Sequence, residues 1–209
     1  MAINTNRWNQ IRYTLFAPIY DLIASFGSQR RRSISLLDPR PGESVLIVGA
    51  GTGADLPYLP PGLAITAGDI TPAMVERLRW RAGALGQTVE ARVMDGHALD
   101  LPDSSVDCVI LHLILAVIPD PVAAAREVDR VLKPGGRAVI FDKFVPDEAP
   151  VSAGRRALNL LTNLVFSDIT RKLGPILKGT GLRIIHQEPA MLGGSFQIIL
   201  LKKEVQPST

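Results

Sequence analysis

The sequence predicts an α/β fold: a doubly wound sheet, mostly parallel, with an antiparallel strand at its carboxyl-terminal end. Three observations carry this. From residue 44 onward, short β-branched runs alternate with helix-like stretches, the pattern of parallel strands joined by right-handed helical crossovers. The first run, Ser44 to Val48, stops abruptly in Gly49-Ala-Gly51-Thr-Gly53. That is a tight strand-to-helix turn where backbone approaches a ligand closely. The last two runs are joined only by Pro189-Ala-Met-Leu-Gly-Gly194, which permits a hairpin and not a crossover.

Ahead of the sheet, Trp8, Ile11, Leu15, Ile19, Leu22, Ile23 and Phe26 recur at helical spacings. They predict an amphipathic helix broken near Pro18, then a second helical stretch to about Leu37. Pro39 to Glu43 reads as a turn. The glycine turn opens a short helix that Pro57, Pro60 and Pro61 limit. Strand two spans about 63–68. Thr71-Pro72 reads as an N-cap and first helical position, with the helix reaching about Ala84 before Gly86. Strand three is Val89 to Met94 and strand four Val106 to Leu111. A helix runs from about Pro121 to Leu132, and Lys133-Pro-Gly-Gly136 turns into strand five, Arg137 to Phe141. A helix-rich insert over about 152–178 precedes the hairpin strands, Leu182 to Gln187 and Phe196 to Lys202.

A chain of 209 residues, 46% apolar, suits one domain that buries roughly 70% of its unfolded surface. One cysteine, Cys108, sits in an apolar run, so no internal disulfide forms and a reducing compartment is expected. No run reaches the ~18 apolar residues of a membrane span. The amino terminus lacks the features of a signal peptide, so a cytoplasmic location is expected. The net charge of +3 is modest, but residues 1–40 carry Arg7, Arg12, Arg30, Arg31, Arg32 and Arg40 against Asp21 and Asp38. A basic end suits nucleic acid, an anionic membrane face, or a solvated helix face. Three histidines and one cysteine make no metal-ligand cluster, and no Ser-His-Asp elbow is present.

Asp69 follows Gly51 by 18 residues and ends the second strand. A carboxylate there accepts both hydroxyl protons of a ribose, so turn and acid together indicate an adenosine-containing cofactor. Gly49-Ala-Gly-Thr-Gly-Ala54 also fits the nicotinamide-dinucleotide turn. Gly53, the Lys133-Pro-Gly-Gly turn and the terminal hairpin weigh against an oxidoreductase. The pieces Val45 to Gly53, Gly68-Asp-Ile-Thr-Pro-Ala-Met74, Val93-Met-Asp-Gly-His97, Ser105 to Ile110 and Glu127 to Gly136 occur in one order. In that order they resemble the class I S-adenosylmethionine (SAM) dependent methyltransferases. The resemblance covers residues 44–145 and implies a Rossmann-like sheet with SAM as cofactor. Arg12-Tyr-x4-Pro-x-Tyr20-Asp21 and Phe166-Ser-Asp-Ile-Thr-Arg171 further resemble the ubiquinone/menaquinone C-methyltransferase group. That group includes bacterial phosphatidylethanolamine N-methyltransferases.

Each matched residue then has an expected role. Gly49, Ala50, Gly51 and Gly53 bring backbone amides and a helix amino terminus to the methionine carboxylate. Asp69 holds the ribose, and Ile70 packs on the adenine. Asp95 accepts from the adenine amino group, with Gly96 and His97 beside the ring. Leu111 and His112 end strand four beneath the sulfonium. His112 lines the cofactor, binds or deprotonates substrate, or merely caps the strand. Asp142 is a candidate base or ammonium ligand, or a strand-end cap. Tyr20 belongs to a helical lid, residues 1–40, that the resemblance folds over the cofactor. Methyl transfer is an in-line displacement, so the site mainly supplies alignment and water exclusion.

The acceptor is the open question. Residues 143–180 form a helical substrate-side insert, rich in Leu158, Leu160, Leu161, Leu164, Val165 and Phe166. With Trp8, Phe16 and the Arg30-Arg-Arg32 cluster, it favours a hydrophobic or amphiphilic acceptor and peripheral contact with an anionic membrane. N-methylation of phosphatidylethanolamine is the leading reading. C- or O-methylation of a quinone-like acceptor and a non-catalytic SAM-binding module are the alternatives. No nucleic-acid partner is expected, and oligomeric state stays open.

Overall fold

A computed structural model describes residues 4–16, 26–148, 150, 154, 156, 157, 159, 162 and 167–205. Its strands form one seven-stranded sheet of order β3-β2-β1-β4-β5-β7-β6. They are β1 (Ser44–Val48), β2 (Ala64–Asp69), β3 (Val89–Val93), β4 (Val106–His112), β5 (Leu132–Lys143), β6 (Leu182–Met191) and β7 (Phe196–Lys203). β1 pairs with β2 and β4, β2 with β3, and β4 with β5, all parallel. β7 runs antiparallel between β5 and β6. The predicted fold class is the one found. The strand order reverses at β1/β4, the switch point at which open α/β sheets bind ligands.

Alternation at period two sorts the strand residues onto two faces. On one face Val45, Ile47, Cys108, Ile110, Val139 and Phe141 pack against α2 (Gly27–Leu37) and α3 (Pro72–Ala84) through Ile34, Leu37 and Leu78. On the other, Leu46, Val48, Val109, Leu111, Ala138 and Ile140 meet α4 (Pro121–Val131) and α5 (Leu173–Leu177). Both faces are covered, as parallel sheets require. α4 starts on Asp120, whose carboxylate accepts from the Val122 and Ala123 amides, with Pro121 at the first position. Thr71 occupies the N-cap of α3 but makes no side-chain capping bond.

Three expectations need correction. The glycine turn opens no α-helix: one 3-10 turn, Leu56–Tyr58, follows it. Pro57 sits inside that turn, and Pro60 and Pro61 forbid its extension. Lys133 to Gly136 is a bulge inside β5, with the register jumping from Val106/Leu132 to Cys108/Arg137 and Gly135 at φ 78°. β6 runs on to Met191 instead of ending near Gln187. The amino-terminal helices are α1 (Asn6–Phe16) and α2. The expected break near Pro18 lies outside the described residues.

Candidate functional site

A cavity opens at the carboxyl ends of β1, β2 and β4, the edge at which open α/β sheets bind ligands. Gly49, Gly51, Asp69, Ile70, Asp95, Gly96 and His112 all lie on its wall. Four separate sequence motifs thus converge because parallel strands deliver all their carboxyl ends to one edge. Gly49 (φ 66°), Gly51 (φ 54°) and Gly53 (φ 80°) turn the chain through the left-handed region. A Cβ at Gly49 would stand 2.6 Å from Ile114 Cδ1, and one at Gly96 would stand 2.8 Å from Ile118 Cδ1. Side chains at these positions would close the cradle.

The acids are anchored differently. Asp69 accepts the Gly51 amide at 2.9 Å on one oxygen and the Thr71 amide at 2.8 Å on the other. It therefore ties the glycine turn to the start of α3. Burial pushes its carboxyl up, against those two amides. Asp95 receives the His97 amide at 3.0 Å and the His97 ring Nδ1 at 2.7 Å. The Asp120 amide donates to His97 Nε2 at 3.1 Å, so Nδ1 carries the proton given to Asp95. His97 thus stands off the cavity wall and orients Asp95 from behind.

Other predicted residues also stand away from the cavity. Ala50 donates its amide to the Gly68 carbonyl, and Gly53 packs against Leu56 and Leu78. Leu111 is core on the α4 face, because period two turns it away from its neighbour His112. Asp142 is fully buried: one oxygen accepts the Ala116 amide at 2.9 Å and the other the Lys143 amide. Burial pushes its carboxyl up, against Lys143 and Arg171 nearby. It holds the loop 113–118, whose Ile114, Val117 and Ile118 line the cavity. Tyr20 lies outside the described residues, as do most of the apolar residues of the insert.

Sequence reasoning missed two groups. The first is the polar inner face of α1, where Asn6, Asn9 and Tyr13 line the cavity. Asn6 donates to Asp95 at 2.7 Å, Gln10 to the Ile70 carbonyl at 3.1 Å, and Asn4 to the Val117 carbonyl at 2.7 Å. The i, i+3, i+7 spacing of Asn6, Asn9 and Tyr13 was legible, but helical apolar periodicity drew attention to the opposite face. The second is a buried cluster of Arg30, Ser33 and Asp55 around His112. It also takes Arg30 out of the expected basic patch, while Arg31 and Arg32 stay exposed. Arg30 pairs with Asp55 at 2.7 Å, Arg32 pairs with Glu188, and Arg31 stacks over the Tyr58 ring.

Among the described residues no His/Cys/Asp/Glu group is placed to hold a metal ion. No helix among them is long and apolar enough to cross a membrane. The Cys108 thiol is pushed up to about 12 by burial, so it is a core residue without nucleophilic character.

Comparisons with known proteins agree with this geometry. A family profile described as "Methyltransferase domain" matches residues 46–140. The chain is similar to a phosphatidylethanolamine N-methyltransferase of Cereibacter sphaeroides, 32% identical over 88% of this chain and 93% of that protein. It is similar to a demethylmenaquinone methyltransferase of Thermus thermophilus, 30% identical over 80% of this chain and 77% of that one. The crystal structure of a SAM-dependent methyltransferase from Aquifex aeolicus shares the fold, with a TM-score of 0.61 and 22% identity over 83% of this chain and 89% of that one. The chain belongs to the SAM-dependent methyltransferases, and is an enzyme of that class with SAM as its cofactor. Within the class, its relatives carry names for lipid amine and quinone substrates alike.

Proposed function

We propose that the enzyme methylates a hydrophobic or amphiphilic acceptor, the amine of phosphatidylethanolamine first among them. The single observation supporting this reading is the near full-length match to a phosphatidylethanolamine N-methyltransferase. The outer face of α1 adds to it: Ile11 is 48% and Leu15 73% exposed, on a helix whose inner face lines the cavity. In this reading Asp69 takes the ribose hydroxyls, Gly49 and Gly51 take the methionine carboxylate through backbone amides, and Asp95 takes the adenine amino group. Ile70 packs on the adenine, and residues 1–40 form a lid whose inner wall is α1. SAM, when bound, supplies an electrophilic methyl on a sulfonium that leaves as a neutral thioether.

This chain's residues then align the acceptor and exclude water. Asp142 lies off the cavity wall and His112 lies on it with both ring nitrogens hydrogen-bonded, and in this reading an amine acceptor enters the site neutral. A quinone-like acceptor methylated at carbon or oxygen is the competing reading, supported by the Thermus thermophilus relative. The test is methyl transfer from isotope-labelled SAM to phosphatidylethanolamine vesicles, with a demethylated quinol and small soluble amines in parallel. Labelled N-methyl phospholipid is the expected product. Turnover of a quinol or a soluble amine, with no labelled phospholipid, overturns the lipid reading.

A further inference from the structure

We propose that His97 is a positioning residue that makes the site selective for a 6-amino purine. Its ring N–H holds one oxygen of Asp95 back in the protein, so that the other keeps an acceptor position open to the adenine amino group. The inference rests on the reading that Asp95 takes that amino group. His97 Nδ1 lies 2.7 Å from Asp95 Oδ1, and the His97 amide donates to the same oxygen at 3.0 Å. Asn6 donates to the other oxygen, Oδ2, at 2.7 Å. On the far side of the ring, the Asp120 amide donates to His97 Nε2 at 3.1 Å.

The Asp120 amide settles where the ring proton sits. A backbone amide only donates, so Nε2 meets it as a lone pair and bears no hydrogen. A doubly protonated ring would set N–H against N–H at that contact. The one ring proton is therefore on Nδ1, facing Asp95. Asn6 likewise presents its amide nitrogen, because a carboxylate only accepts. A carboxylate has about four acceptor positions. On Oδ1 the His97 amide and ring take both, and on Oδ2 Asn6 takes one. The position left is on Oδ2, and Asn6 and Asp95 both line the cavity.

The ring also ties two walls together. Asp95 follows β3, Asp120 starts α4, and Gly96, Ile118 and Pro119 line the cavity between them. Without the ring donor a single backbone amide holds Oδ1, and the half-buried carboxylate is free to swing toward water. A purine with an amino group at C6 brings an N–H to the open position on Oδ2. A purine with only hydrogen at C6 brings none and leaves that position unpaired. The ratio of the two affinities therefore reads how well Asp95 is aimed. A ring that only fills space changes both affinities alike and leaves the ratio unmoved.

The experiment is titration calorimetry of the full chain with two ligands: S-adenosylhomocysteine, and its analogue with hydrogen in place of the 6-amino group. Wild type should prefer the amino ligand about tenfold or more. His97→Phe keeps a ring without a donor and should lower that preference at least about threefold. His97→Asn puts an amide nitrogen where Nδ1 stood and should keep the preference. Asp95→Ala should abolish it. No preference in wild type, or one that survives Asp95→Ala, removes Asp95 from the adenine, and the proposal falls with that reading. A preference lost in Asp95→Ala but kept in His97→Phe overturns the role of His97 alone, as does a His97→Asn variant that loses as much as His97→Phe. 15N NMR of histidine-labelled wild type at alkaline pH adds a readout that does not depend on His97→Phe folding. The ring whose signals vanish in His97→Asn should be protonated at Nδ1, and protonation at Nε2 overturns the proposal.

Discussion

The Asp69 carboxylate receives one amide on each oxygen and still has a lone pair on each to offer the cavity. That double duty gives a residue-scale prediction. Asp69→Ala should weaken S-adenosylhomocysteine binding by ~1.5–3 kcal/mol, the worth of a charge-assisted hydrogen-bond pair. Titration calorimetry measures it, and an unchanged affinity removes Asp69 from the ribose. Residue chemistry explains why Asp69 and Asp95 could be picked from sequence: each is an acid placed just after an apolar strand. Arg30, Ser33 and Asp55 carried no such mark. A buried arginine reads as a surface arginine until its partner, 25 positions away in the chain, is known.

At the scale of elements, Asp107 joins β4 to the start of β1 and to the β5 bulge. It accepts from the Ser44 amide at 2.9 Å, the Ser44 hydroxyl at 2.6 Å and the Lys133 ammonium at 2.8 Å. Burial opposes ionisation, but these donors outweigh it and hold the carboxyl at about 2. A carboxyl depressed on folding stabilises the protein above its unfolded pKa of ~4 and loses that stabilisation as pH falls from ~4 toward ~2. Asp107→Asn should therefore cost ~1–2 kcal/mol at neutral pH, by denaturant unfolding, with the gap closing near pH ~2. A gap that stays constant with pH would mean that Asp107 acts only through packing.

α1 carries the second prediction at this scale. It reaches the pocket through Asn6, Asn9 and Tyr13 and is fastened by Asn6 to Asp95, by Gln10 to Ile70 and by Asn9 to Val117. Its amides should exchange more slowly when S-adenosylhomocysteine binds. Equal exchange with and without ligand would mean that α1 is no lid.

Over the whole molecule, the arginine run offers less unpaired charge than its sequence suggested. Arg30 is internal, and Arg32 is engaged across the sheet edge with Glu188. α1, whose inner face lines the cavity, exposes a stripe of Arg7, Ile11, Thr14 and Leu15. If that stripe docks on lipid, wild type should co-sediment with anionic vesicles, and replacing both Ile11 and Leu15 by Asp should abolish most of the binding. Binding unaffected by the double substitution would point to another face.

The sequence by itself determined the alternating α/β order, the terminal hairpin, the glycine turn and the carboxylates after strands two and three. Each of these is a local signal: period two, a short connection, or a residue type at a strand end. Tertiary structure alone decided which neighbours share the cavity. Asp142 ends β5 and His97 follows β3 where chemistry was expected, yet Asp142 holds the Ala116 and Lys143 amides off the cavity wall and His97 holds Asp95. His112 faces the cavity, while its nitrogens belong to Ser33 and Asp55. Hydrogen-bond partners brought together by β-sheet topology from distant stretches of chain leave no periodicity behind them, so only the folded chain shows which polar groups remain to act.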